Sequence, residues 1–266
     1  MLESRVIVCL DVRDGVTTKG IRFKGNVEIG DPVAMSKRYY AQGVDELVFY
    51  DITASSENRG IMIDVVRRVA SEIFVPFSVG GGIGSVDAMR DVLLAGAEKI
   101  SVNSQAIRNP GIIDAGARAF GSQCVVLGMD AARDAAMPNG YRVYGSGGRV
   151  RTELDALEWA LEAERRGVGE IVLNSIDADG TKDGYEIELT RMISDSVAVP
   201  VVASGGAGIP SHLCKVLDAS PGGGHAHAAL VASMVHYGEF TVSEIKGYLN
   251  KHDIRVRLDT GNPDPN

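Results

Sequence analysis

Cysteine is scarce in this sequence and odd in number: Cys9, Cys124 and Cys214 are the whole supply among 266 residues. None sits in C-x-x-C spacing, which argues against a disulfide framework or a structural zinc site and leaves buried free thiols. Positive charge is short as well, with 27 Lys and Arg against 35 Asp and Glu and a formal net charge of -8. Phosphate-backbone affinity depends on clustered basic residues, so a general nucleic-acid binder is not expected and any anionic ligand has to be held locally. No apolar run approaches the roughly 18 to 20 residues a bilayer span needs. The N-terminus also lacks the charged-then-apolar plan of a secretory signal. The expected setting is the cytoplasm, with no membrane or nucleic-acid partner.

At 45% hydrophobic content the chain has enough apolar matter for one large core, and residues 1–266 are expected to make a single domain. Arg5-Val6-Ile7-Val8-Cys9-Leu10-Asp11 is an apolar run with a charge at each end and reads as a buried parallel strand. Gln123-Cys124-Val125-Val126-Leu127-Gly128-Met129-Asp130 repeats the plan half a chain later and ends on the same residue type. Further strand patterns at 46–51, 76–79, 99–102, 170–174, 200–203 and 228–232 alternate with helical ones. Those helices lie near 32–42, 61–73, 86–95, 154–166, 187–196, 211–217 and 242–250, with one more after Asn109-Pro110. Eight strand-helix units of this kind predict an α/β protein folded as a (β/α)8 TIM barrel. A doubly wound open sheet is the alternative, but it usually needs fewer units.

The two halves echo one another. Val75-Pro76-Phe77-Ser78-Val79-Gly80-Gly81-Gly82 resembles Val199-Pro200-Val201-Val202-Ala203-Ser204-Gly205-Gly206, and Asp45-Glu46-Leu47-Val48 resembles Gly169-Glu170-Ile171-Val172. Two similar half-barrels imply a pseudo-two-fold axis, which suits a ligand with similar groups at both ends. The glycine-punctuated, basic stretch 14–26 is long for a connection inside a domain and reads as a lid or a disordered loop. Residues 141–151, turning through Gly145-Ser146-Gly147-Gly148, read as a hairpin after the fifth strand.

Glycines at the ends of the third and seventh strands let backbone amides approach an oxyanion, and the helix N-termini that follow add partial positive charge. Asn103-Ser104 after the fourth strand and Ala232-Ser233 after the eighth place a hydroxyl beside each glycine turn. One such turn alone is more often structural; the duplicated pairing points to two phosphate sites, one per half. Asp11 and Asp130 are candidates for an acid/base pair at the same rim, although each by itself could cap a loop or hold a barrel layer together. No pattern of His or Glu on neighbouring strands accompanies them, so no metal is expected. His225-Ala226-His227, in a glycine-rich insertion, reads as a solvated turn. At the opposite rim Arg5, Glu46, Lys99 and Glu170 open four strands with alternating sign and could close the barrel bottom as a ring of ion pairs.

Cys9-Leu10-Asp11-Val12, Lys19-Gly20, Gly30-Asp31-Pro32, Asp51-Ile52-Thr53-Ala54-Ser55, Val79-Gly80-Gly81-Gly82-Ile83, Asp179-Gly180-Thr181-Lys182 and Ala203-Ser204-Gly205-Gly206-Ala207-Gly208 together closely resemble the cyclase-subunit family of imidazole glycerol phosphate synthase. The likeness runs from about Arg5 to Leu258. It implies a (β/α)8 lyase of histidine biosynthesis that takes a bis-phosphorylated ribulosyl formimino aminoimidazole carboxamide ribonucleotide plus ammonia. The products are imidazole glycerol phosphate and the aminoimidazole carboxamide ribonucleotide, and no cofactor is called for. By the same likeness Asp11 and Asp130 are the general acid/base pair, and Lys19 on the lid assists closure. Gly82, Asn103 and Ser104 would hold one phosphate; Asp179, Gly180, Gly206, Ala232 and Ser233 would hold the other, with the Asp179 side chain ordering its loop or meeting a hydroxyl. A glutaminase subunit docked on the N-terminal face would send ammonia along the barrel axis, past a gate of Arg5, Glu46, Lys99 and Glu170.

Several positions depart from the family pattern: Arg22 and Val27 in the lid, Ser104 in place of a common threonine, Thr152-Glu153 after the hairpin, and the expanded turn Ser220-Pro221-Gly222-Gly223-Gly224. Two rivals stay open at this point. One is the sister barrel isomerase of the preceding step; the other is a non-catalytic or amidino-sugar paralogue.

Overall fold

Val6 to Leu10 is buried on both faces of its strand, which is tolerated inside a parallel sheet covered by helices. The computed structural model describes residues 3–21, 24–52 and 63–258, with the side chains of 19–21 and 24–26 outside the description. Strand β1 (Arg5–Arg13) runs into a hairpin, β2 (Val16–Ile21) and β3 (Lys24–Gly30), and is followed by β4 (Glu46–Asp51), β5 (Phe77–Gly80) and β6 (Lys99–Val102). The second half repeats this. β7 (Val125–Arg133) runs into β8 (Tyr141–Gly145) and β9 (Val150–Asp155), followed by β10 (Glu170–Ser175), β11 (Val201–Ser204) and β12 (Ala228–Val231).

Eight of these strands close a parallel barrel in the order β1-β4-β5-β6-β7-β10-β11-β12, and β12 returns to β1 with Arg5 opposite Ala228. Closure excludes the open-sheet alternative. The helices alternate with the strands as expected: α1 (Pro32–Ala41), α2 (Ile63–Ala70), α3 (Val86–Leu94), α4 (Ser104–Arg108), α5 (Gly111–Phe120), α6 (Ala156–Arg166), α7 (Ile187–Ser196), α8 (Pro210–Leu217), α9 (Ser233–His236) and α10 (Val242–Lys251). Their ends follow local chemistry. The Asp31 carboxylate accepts from the Ala34 amide at 2.9 Å ahead of Pro32, Gly167 closes α6 in the left-handed region, and Thr241 with Glu244 forms a capping box on α10. The short helices α4 and α9, each directly after a barrel strand, were not expected.

Two apolar layers result. Helices pack on the outside of the barrel, while Ile7, Val48, Val126, Val172, Val202 and Leu230 fill its interior. The stretch 14–26, expected to be a lid or disorder, is in its described backbone an antiparallel extension of β1. Asp14 and Gly15 turn it with φ of 50° and 82°, the left-handed pair that a two-residue type I′ hairpin requires and that Asp-Gly favours.

The turn 220–224 lies at the N-terminal rim of β12, where the exposed His227 accepts from the Val201 amide at 3.2 Å through Nδ1 and His225 is engaged more closely. The Nδ1 of His225 meets Asp195 Oδ1 at 2.6 Å and its Nε2 meets the Ser220 carbonyl at 2.8 Å. Two acceptors are satisfied together only by an imidazolium donating from both nitrogens. The Asp195 carboxylate, then the Ser220 backbone, raise the His225 pKa above its usual 6.5. A raised folded-state pKa contributes stability that is fully present below the unfolded value and is lost as pH rises through the folded one. Asp195→Asn is therefore expected to lower the melting temperature at about pH 6 and to do so less at about pH 9, which thermal unfolding across that range checks.

Candidate active site

Side chains two apart on a strand share a face, so each barrel strand carries a column of residues from the lower rim to the upper one. At the bottom the columns begin with Arg5, Glu46, Lys99 and Glu170. Arg5 binds Glu46 at 2.7 Å and Glu170 at 2.6 Å, while Lys99 binds the same two carboxylates at 2.9 and 3.0 Å. The four close a ring, as the alternating signs predicted. The carboxylates are 3% and 7% exposed. Burial, then the neighbouring Glu170 charge, push the Glu46 pKa up against the opposing pull of Lys99 and Arg5.

At the other rim opens a cavity of about 640 Å³, and Asp11 and Asp130 both line it. Asp130 is buried. One carboxylate oxygen accepts from the Asn103 side chain at 2.9 Å and the other from Asn174 at 3.0 Å. Desolvation outweighs those two bonds, so its pKa is raised, which suits a carboxyl asked to hold a proton. The Cys9 thiol lies 3.7 Å from Asp11 Oδ1.

The glycine turns are duplicated in conformation as well as in sequence. Gly81 and Gly205 both have φ of 89°, and Gly82 and Gly206 follow with 70° and 102°. A Cβ on Gly81 would come within 2.2 Å of the Asp51 carbonyl, and one on Gly206 within 2.0 Å of the Gly184 carbonyl, so no other residue fits. The residues that precede the two short helices match too: Asn103 has φ, ψ of -137°, -92° and Ala232 has -142°, -82°.

All four glycines line the cavity, with Asn103, Ser104, Ala232 and Ser233. Asp179 and Gly180 line it from the loop after β10, where the Asp179 amide donates to the Ser175 carbonyl at 2.9 Å. The Ser104 hydroxyl accepts from the Ser146 amide at 2.7 Å and ties down the β8–β9 tip. In that hairpin Glu153, one of the departures, meets Arg142 at 3.1 Å. Lys19 has its backbone in β2. Its side chain lies outside the described residues, as do Arg22 and Thr53-Ala54-Ser55. Among the described residues, every other predicted substrate-site position lines the one cavity.

Among the further residues that line the cavity are Asn174, Tyr50 and Ser101, which the sequence analysis does not assign to it. The signal was available. Asn174 and Tyr50 stand four positions after Glu170 and Glu46, hence in the same inward columns. The Tyr50 ring covers Gly80, where a Cβ would lie 2.6 Å from it, and its hydroxyl is 3.4 Å from Ser101 Oγ. Burial raises the Tyr50 pKa, so the phenol is neutral.

Comparison with known proteins agrees with this geometry. The family model described as histidine biosynthesis protein matches residues 5–241. The chain is 66% identical over 260 residues to the imidazole glycerol phosphate synthase subunit HisF of Desulfatibacillum aliphaticivorans, covering 97% of this chain and 98% of that one. It is 64% identical over 260 residues to the proteins of the same name from Desulforapulum autotrophicum and Syntrophobacter fumaroxidans, covering 97% of this chain and 99% of each of theirs. With a closed eightfold barrel, a duplicated pair of glycine turns and a match over nearly its whole length, this chain belongs to the histidine biosynthesis protein family.

Proposed function

We infer that this chain is the cyclase subunit of imidazole glycerol phosphate synthase. It joins ammonia to the bis-phosphorylated ribulosyl formimino ribonucleotide and releases imidazole glycerol phosphate and the aminoimidazole carboxamide ribonucleotide. The observation that carries the reading is the placement of two carboxyls, Asp11 and Asp130, in one cavity between two matching glycine turns. Ammonia must lose protons as its bonds to carbon form, and the departing groups must gain them. Carboxyls on two strands of the barrel can serve both needs. In this reading Gly82, Asn103 and Ser104 cradle one phosphate and Gly180, Gly206, Ala232 and Ser233 the other. Asp179 orders its loop, and Lys19 closes over the substrate.

The ring of Arg5, Glu46, Lys99 and Glu170 is the gate through which ammonia enters from a glutaminase subunit docked on the N-terminal rim. The subunit names of the relatives support a partner. So do two bare apolar side chains, Phe74 at 82% and Leu94 at 79% exposure, since the α2–β5 loop and the end of α3 both fall on that rim. The workplace is the cytoplasm; among the described residues no helix is long and apolar enough to cross a membrane.

Ultraviolet loss of the ribonucleotide with ammonium, and then with glutamine and a co-purified glutaminase, tests the reading and separates it from the sister isomerase, which needs no ammonia. Lys99→Ala is expected to change glutamine-dependent turnover several-fold more than ammonium-dependent turnover. Equal effects would count against a gate.

A further inference from the structure

The carbonyls of β1 face its neighbours alternately. Those of Val6 and Val12 accept from Asp45 and Ile52 on the β4 side, while Arg5 donates to His227 on the β12 side, so Cys9 faces β12. By then β12 has ended: its last pairing is Val8 with Val231. The donor at Cys9 is a side chain 227 positions away, His236 Nε2, at 2.9 Å from the carbonyl. A carbonyl only accepts, so Nε2 carries the proton, and in the neutral ring Nδ1 is then the acceptor. It accepts from the buried Tyr39 hydroxyl at 2.6 Å, which in turn accepts from Arg38 at 2.6 Å. The chain of donors therefore has one direction, from α1 through His236 into the main chain of β1.

His236 closes the four-residue helix that begins at Ser233 on the cavity. Cys9 stands two residues before Asp11 and on the same face. We propose that His236 is a positioning residue for Asp11, continuing the ladder of β1 past the end of β12 so that the carboxylate is held at a fixed height over the cavity. The inference rests on the cyclase reading for what Asp11 does there. A displacement of about 1 Å at a reacting group can cost on the order of 100-fold in rate, so one lost anchor is enough to matter.

Two substitutions separate positioning from mere bulk. His236→Leu fills the space and removes the donor; His236→Gln places an amide N–H near the reach of Nε2. With ammonium as nitrogen source, the Leu variant is expected to lose roughly ten- to a hundredfold in kcat with the KM for ribonucleotide within a few-fold, and the Gln variant to recover most of it. Hydrogen exchange of the peptide spanning residues 5–13 in the ligand-free protein should quicken in the Leu variant and return toward the wild-type rate in the Gln variant. Equal kcat and equal exchange in the two variants would overturn the assignment of His236. Absence of any ammonium-dependent turnover by the wild-type chain would instead overturn the cyclase reading, and the exchange comparison would still decide whether His236 holds β1.

Discussion

Asp11→Asn is expected to lower ammonium-driven turnover of the ribonucleotide by about 10² to 10⁴, with the KM for that substrate within a few-fold of wild type. The amide keeps the size of the carboxylate and cannot take a proton, so binding survives while proton transfer does not. The loss should appear with ammonium alone, because the defect lies at the chemical step rather than at ammonia delivery. Retained turnover in steady-state measurements would remove Asp11 from the chemistry.

The largest expected effect on stability is far from the cavity. Lys246 on α10 is 4% exposed, donates to Asp45 at 2.7 Å and to the Gly43 carbonyl at 2.5 Å, and Asp45 is itself 7% exposed and accepts from the Val6 amide at 2.8 Å. The pair thus ties the last helix to the bottom of β1 and β4. Lys246→Met leaves a buried carboxylate with no cation, a defect that typically costs about 3 to 5 kcal/mol. At roughly 2 to 4 °C per kcal/mol for a chain of this size, the melting temperature should fall by about 10 °C. The double variant Lys246→Met, Asp45→Asn should recover part of the loss, since the uncompensated charge is then gone. A melting temperature unchanged by the single variant would show that the pair is energetically neutral.

Much of the fold was legible because its signals are local. Asp31-Pro32 and the helical spacing of 187–196 mark helices where they occur, and the half-to-half echo of Gly80-Gly81-Gly82 with Ser204-Gly205-Gly206 marks the two turns that face the same cavity. The hairpin after β1 is announced by Asp14-Gly15, a two-residue turn signal. The length and glycine content of 14–26 point instead to a loop, and they outnumber that one local signal. The short helices after β6 and β12 have no signature in the sequence, because four or five residues show no period.

Asp11 and Asp130 stand out in the sequence because both end apolar runs, whereas Asn174 and Tyr50 are marked only by following Glu170 and Glu46 by four positions. The alternation of a strand, with its period of 2, states which residues share a face. The alternating units, the twofold repetition and the set of candidate rim residues are therefore written locally along the chain. Which of them meet is settled by packing: Asn174 at the end of β10 and Asn103 just after β6 both bind Asp130, four charges close on one another beneath the barrel, and His236 reaches the main chain of β1. The reason is that strand neighbours, register and barrel closure are set by packing between distant segments, so contacts across the barrel have no periodic trace in the chain.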